Sequence, residues 1–200
     1  MKNLILRFAV VVTILASCNS NSNNPSDKHG SLNRPVSYSR NENSGTSTTK
    51  DEIDIFSIKE IVSQYMRISK GLADDNGNDA ASGGKALVVS IDKTRTVSLT
   101  TENLKIWADI SADAKEMAEH IGENPDNIGH QREHFVILSK DIYDLVKTFG
   151  SDQVLYKVFD SMSNEGKGGF WLSETKEFKN PYMGKAMLTS GSIQEEIRKK

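Results

Sequence analysis

The sequence predicts a mainly α fold: an antiparallel four-helix bundle with a C-terminal segment of short strands and turns packed on it. Three observations predict it. Between Asp51 and Gly150, four stretches repeat apolar residues at the three-and-four spacing that lines one face of a helix. Short, turn-rich connections separate them, as in an up-down-up-down bundle. After Gly150 that periodicity gives way to a strand-like run, a glycine cluster and an Asn-Pro turn.

The N-terminus is expected to be removed before the domain works. Lys2 and Arg7 precede the apolar run Phe8 to Leu15, a charged region followed by a hydrophobic one, as in a secretory signal peptide. The run is shorter than the ~20 residues that span a bilayer. It ends in Leu15-Ala16-Ser17-Cys18, where small side chains give a peptidase access and Cys18 offers a thiol to diacylglycerol. This resembles a lipobox, with Ser17 where Gly or Ala is more usual. Residues 1–17 are therefore expected to be a signal peptide, and Cys18 the lipid-bearing, palmitate-type anchor of the mature chain.

Cys18 is the single cysteine, so no intramolecular disulfide can form and stability must come from the core. Loss of Lys2 and Arg7 with the signal peptide moves the formal net charge from −2 to −4. A mildly acidic chain lacks the concentrated basic face that nucleic acid requires, so no nucleic-acid partner is expected.

Residues 18–50 read as a tether. Asn, Ser, Thr, Asp, Lys and Gly dominate, and Leu32, Val36 and Tyr38 are almost the only apolar side chains. Such a segment buries too little apolar surface to offset the entropy of ordering it. As a flexible coil it would span very roughly 30 Å, enough to hold a domain clear of lipid headgroups. The Asn-Ser-Asn-Ser-Asn-Asn run after Cys18 lacks the acidic cluster of surface-export signals. The expected location is periplasm-facing, on a bacterial membrane and the outer one in preference.

Residues 51–200 form one expected domain. The first helix is predicted over about Glu52 to Asp74, from Ile55, Ile58, Val62, Tyr65 or Met66, Ser69 and Leu72, with Asp51 as N-cap. Asp74-Asp75-Asn76-Gly77 reads as a turn. Ala80, Gly84, Leu87 and Ile91 mark a second helix whose small residues admit a close neighbour. The third begins near Thr101 with Thr100 or Thr101 as cap, carries Leu104, Trp107, Ala114, Met117 or Ala118, and Ile121, and stops before Gly122 and Pro125. The fourth is the clearest, with Phe135, Leu138, Ile142, Leu145 and Phe149 on one face and Gly150 at its C-terminal stop.

In the motif segment of about 151–200, Gln153 to Phe159 is strand-like, Gly166 to Gly169 is a loop, and Met187 to Ile197 reads as a short strand or a final helix. Phe159-Asp160-Ser161-Met162, Gly168-Gly169-Phe170-Trp171-Leu172-Ser173, Asn180-Pro181-Tyr182-Met183-Gly184 and Met187-Leu188-Thr189-Ser190-Gly191 follow one another here. Together with Gln131 to Phe135 and Leu138-Ser139, these resemble an uncharacterised family of exported bacterial proteins. That family occurs alone or attached to periplasmic adaptor subunits of copper and silver efflux systems. Its pattern carries Cys-Pro-Met, a Trp-Leu-Ser run, Asn-Pro-Tyr, a Met and a Cys-Gly.

The resemblance implies copper or silver handling, because thiolate and thioether ligands suit Cu(I). It also implies an efflux adaptor or another envelope protein as partner. The chain departs from the pattern at both thiols: Asp160 and Ser190 stand at the Cys positions and Ser161 at the Pro, while Met162 and Met187 are kept. What remains as an implied ligand set is Met162, Met187 and Met183 with His134. Packing beside Phe170, Trp171 and Tyr182 is the competing reading for these methionines. An interaction module that keeps the fold and has lost the metal is the alternative function.

His130 and His134 lie four apart on the fourth helix and share a face, which makes His130 a further candidate ligand for a divalent ion. His29 in the tether and His120 near the end of the third helix are expected to be solvated. Asp74 to Asp79 has Lys85 where a calcium loop needs its final Glu, so it is read as a turn. Gly166-Lys167-Gly168-Gly169 lacks the spacing of a phosphate-binding loop. With no Gly-x-Ser-x-Gly element and only a commonplace Ser173-Glu174 pair, no catalytic activity is expected.

Overall fold

The computed structural model describes residues 56–200. The expected signal peptide, Cys18, the expected tether with His29, the expected Asp51 cap and the expected start at Glu52 lie outside the described residues. Among the described residues, four helices and a three-stranded antiparallel sheet follow in chain order, and no helix is long and apolar enough to cross a membrane.

Helix α1 (Lys59–Ala73) starts later than the apolar spacing predicts. Phe56 to Ile58 is not helical, and the first helical bond runs from Val62 N to Ile58 O. The cause is tertiary. Phe56 packs against Trp107 and Phe149, with ring centroids 5.3 and 4.8 Å away, and its backbone N–H donates to Ser98 Oγ. Burying that ring between two other helices outweighs the few helical bonds that a longer α1 would add.

Helix α2 (Gly77–Lys93) is capped by Asn76, whose Oδ1 accepts from Asp79 N. Helix α3 (Thr101–Glu123) uses Thr100 as its cap, with Asn103 N donating to its hydroxyl. The predicted stop before Gly122 is corrected: the helix runs through it. Gly122 is buried against α2, where an added Cβ would lie 3.0 Å from Lys85 Cγ. Gly83 and Gly84 meet α1 and α3 in the same way, so glycine in this hairpin serves close approach rather than chain reversal. Leu104, expected in the core, is exposed, and Trp107, Ala114, Ala118 and Ile121 carry the buried face.

Helix α4 (Ile128–Phe149) buries Phe135, Leu138, Ile142 and Leu145 completely and ends at Gly150, whose φ of 89° is open only to glycine without strain. The same face holds Asp141, which is buried with Oδ2 lacking a hydrogen-bond partner. Burial, reinforced by Asp113 and Asp144 and opposed by Lys140, pushes its carboxyl up to about 6. A raised carboxyl means that the folded state holds the proton more tightly than the unfolded chain. The associated stability is complete below about pH 4 and is lost as pH rises through about 6. Asp141→Asn is therefore expected to stabilise the protein by about 2–3 kcal/mol at pH 7.5. Thermal unfolding at both pH values checks the sign, because the gain should vanish near pH 4.

The C-terminal segment forms β1 (Leu155–Asp160), β2 (Gly169–Ser173), a 3-10 turn (Gly184–Met187) and β3 (Ser192–Ile197). The strand order is β2-β1-β3, both pairs antiparallel, with Val158 opposite Trp171 and Leu155 opposite Ile197. Leu155, Val158, Trp171, Leu172 and Ile197 join the helices in one core.

Tyr65 on α1 ties the layers together. It stacks on Phe135 at 5.0 Å; its hydroxyl lies 2.8 Å from Ser139 Oγ on α4 and accepts from Leu172 N on β2. Burial raises its phenol far above the ordinary range, so it stays neutral. A second clasp holds the Asn180-Pro181-Tyr182 turn. Arg132 on α4 donates to Pro181 O, Leu72 O and Asp75 Oδ1, and Asp75 accepts from Lys185 N.

Candidate metal centre

The α3–α4 connector places three histidines on one side of the hairpin. Asn124 Nδ2 donates to His120 O, and Asn127 Oδ1 accepts from His130 N, so each asparagine holds the backbone of a histidine in its own helix. Gln131, fully buried, donates through Nε2 to Ile121 O on α3 and to Gly77 O at the start of α2. That fork fixes the rotation of α4. With Gln131 turned inward, His130 and His134 come round to His120.

One nitrogen from each of His120, His130 and His134 lies within 4.8 Å of the others, and all three residues are partly buried. His130 Nε2 and His134 Nε2 are 3.1 Å apart. The remaining nitrogens have neighbours of their own. His134 Nδ1 is 3.4 Å from Met117 Sδ, His130 Nδ1 is 3.4 Å from Glu133 Oε2, and His120 Nε2 is 4.0 Å from Glu116 Oε1. The rings of His120 and His134 stack at 4.4 Å and 7°, while those of His130 and His134 meet edge to face at 81°. Burial, then the neighbouring His120 and His130, lower the His134 pKa, which keeps its lone pair free near neutral pH. Three imidazoles grouped at a half-open surface can bind a transition-metal ion.

Of the residues singled out from sequence, His130 and His134 are brought together as expected. His120, expected to be solvated, is corrected to a member of the cluster. Its signal in the sequence was position: it lies four residues before Asn124 and His130 three after Asn127, so both sit about one helical turn from the same short connection. Met117, three before His120, shares its face.

Met162, Met183 and Met187 belong to the other end of the chain. Met162 is exposed, with its backbone N–H donating to Asp160 Oδ1; Met183 N donates to Asn180 Oδ1; Met187 is partly exposed in the 3-10 turn. No hydrogen bond or ring contact among the described residues joins these three to His134. The same C-terminal segment holds a largely buried polar knot. Asp160 Oδ2 accepts from Ser163 Oγ at 3.0 Å, Asn180 Nδ2 at 2.7 Å and Ser190 Oγ at 3.0 Å. The two positions where the resembled pattern has cysteines are therefore adjacent in space and bonded as Asp160 and Ser190.

The Asp74-Asp75-Asn76-Gly77 stretch is a helix connection, as read. Asp74 pairs with Lys70 and Lys179, and Asp75 with Arg132, so both carboxylates already have cationic partners.

A family model described as "Protein of unknown function (DUF3347)" matches residues 61–154, from the first turn of α1 to the residue before β1. The match takes in the helices and the histidine cluster and stops short of the sheet. No curated protein and no solved structure matches the chain.

Proposed function

We propose that this chain is a lipid-anchored envelope protein that binds a heavy-metal ion, an accessory to efflux of the copper and silver type. The grouping of His120, His130 and His134 carries the reading, because three imidazole nitrogens within 4.8 Å of one another are a donor set that can gather around such an ion. In this reading the four helices form an antiparallel bundle, favoured by the short α1–α2 and α3–α4 connections. Cys18 carries the lipid and faces the domain into the periplasm, with the outer membrane as the expected site. An efflux adaptor or another envelope protein is the expected partner. The protein acts by binding and has no catalytic step.

Met162, Met183 and Met187, apart from His134, stand as the thioether set that would take Cu(I). The second reading, an interaction module that has lost its metal, draws on the Asp160–Ser190 bond, which occupies the place of two thiols with a satisfied hydrogen bond. Equilibrium dialysis of the purified chain in detergent micelles against Cu(I), Cu(II) and Zn(II) separates the two. The metal reading expects binding tighter than about micromolar, weakened at least tenfold by His130→Ala or His134→Ala. Loss in Met162→Leu/Met187→Leu instead assigns the ion to the thioethers. Failure of all three metals to bind leaves the interaction module.

A further inference from the structure

Resting on the reading of the histidine cluster as a metal centre, we infer that the cluster takes a borderline divalent ion of the Zn(II) or Cu(II) class through His130 Nε2 and His134 Nε2. His120 supplies a third nitrogen, and the fourth position is left to an exchangeable small ligand. The argument begins with protons. The Nε2–Nε2 contact of 3.1 Å needs one hydrogen between the rings. His134 Nδ1 against Met117 Sδ needs another, since a thioether only accepts. His130 Nδ1 beside the Glu133 carboxylate favours a third. When both rings are neutral they carry one hydrogen each, and without an ion one of the three contacts then goes unmet.

An ion between the Nε2 atoms resolves the shortage. Each ring keeps its hydrogen at Nδ1, directed at Met117 Sδ or toward Glu133, and turns its Nε2 lone pair to the metal. Binding then requires only a choice of tautomer, with no net change in protons. The distal partners of His130 and His134 stand where carboxylates and other acceptors orient metal-bound histidines.

The spacing agrees. Two nitrogens at ~2.0–2.1 Å from a tetrahedral ion are about 3.3 Å apart. The observed 3.1 Å needs little adjustment. The donors are imidazoles, which suit Zn(II) and Cu(II), and the nearest sulfur faces the wrong nitrogen of His134 to serve as a ligand alongside them.

His120 has to move. Its ring lies parallel to that of His134, so its in-plane lone pairs do not point at the ion the other two would share. At 44% side-chain exposure it can leave the stack at small cost. No carboxylate joins the three histidines among the described residues, and Glu133 approaches the distal Nδ1 of His130, which leaves the fourth position to solvent.

Cobalt(II), a spectroscopic substitute for Zn(II), tests this on the full chain in micelles. The expected result is the strong visible absorption of tetrahedral Co(II), displaced by Zn(II) and shifted by azide. His120→Gln should weaken binding without changing far-UV circular dichroism, whereas Met117→Leu should keep the absorption with affinity lowered by roughly tenfold. Bands unmoved by azide, abolition by Met117→Leu, or binding of Cu(I) alone would overturn the inference and leave metal binding standing. No binding of Co(II), Zn(II), Cu(II) or Cu(I) would overturn both.

Discussion

Asp160→Ala is expected to lower unfolding stability by about 3–4 kcal/mol, because it removes a buried anion that gathers four donors from three parts of the chain. Met162 N and Ser163 Oγ follow β1, Asn180 opens the Asn-Pro turn, and Ser190 precedes β3. Without the carboxylate, Asn180, which is fully buried, keeps only Ser190 O and Oγ as partners for its Nδ2. Burial opposes the charge on Asp160, yet the hydrogen bonds from Met162, Ser190, Ser163 and Asn180 outweigh it and hold the carboxyl below its ordinary value. The sign follows from linkage. A depressed carboxyl contributes stability that is present above about pH 4 and lost as pH falls through the lower folded value. Urea unfolding at pH 7 should show the full difference between wild type and Asp160→Ala, and as the pH is taken below the lowered folded value the two curves should approach each other. An unchanged midpoint at pH 7 would mean that the knot is solvated and contributes nothing.

The second large effect is expected at Gly84. An alanine Cβ there would lie 2.6 Å from Ala118 O and 2.9 Å from Gly122 N, both backbone atoms of α3. Alanine gains about 1 kcal/mol of helix propensity over glycine, but the two helices must separate to admit it. The net cost is expected to be about 2–4 kcal/mol, as for overpacked cores. The same displacement shifts the end of α3, with His120, relative to α4. Gly84→Ala should therefore lower metal affinity more than His120→Gln does, and thermal unfolding with metal titration on both variants tests the order. A rise in melting temperature would show that the helices adjust freely and that propensity dominates.

What could be read from the chain follows the range of the physics involved. Helical periodicity is local, so Phe135, Leu138, Ile142 and Leu145 on α4 could be placed in the core from spacing alone, and Gly150 could be recognised as a stop. The strand character of Gln153 to Phe159 was legible for the same reason, and the strand itself runs over Leu155–Asp160. The start of α1 was not, because the ring of Phe56 is drawn away from the helix axis by Trp107 and Phe149, which lie far along the chain. Gly122 was misread since glycine breaks an isolated helix but is tolerated where a neighbouring backbone needs its space. The candidate site was half legible. His130 and His134 share a helix face by local geometry, whereas His120 joins them only through the packing of α3 on α4 and the inward fork of Gln131.

By itself, therefore, the sequence determined the helical character, the change to strands after Gly150 and the pairing of two histidines one turn apart. Each rests on interactions within a few residues. Tertiary structure alone decided that a third histidine would complete the cluster, that Tyr65 would fasten sheet to helices, and that Asp160 and Ser190 would bond across thirty residues. Those outcomes depend on which faces meet, and that is set by the summed packing of the core and by buried polar groups that accept few alternative partners.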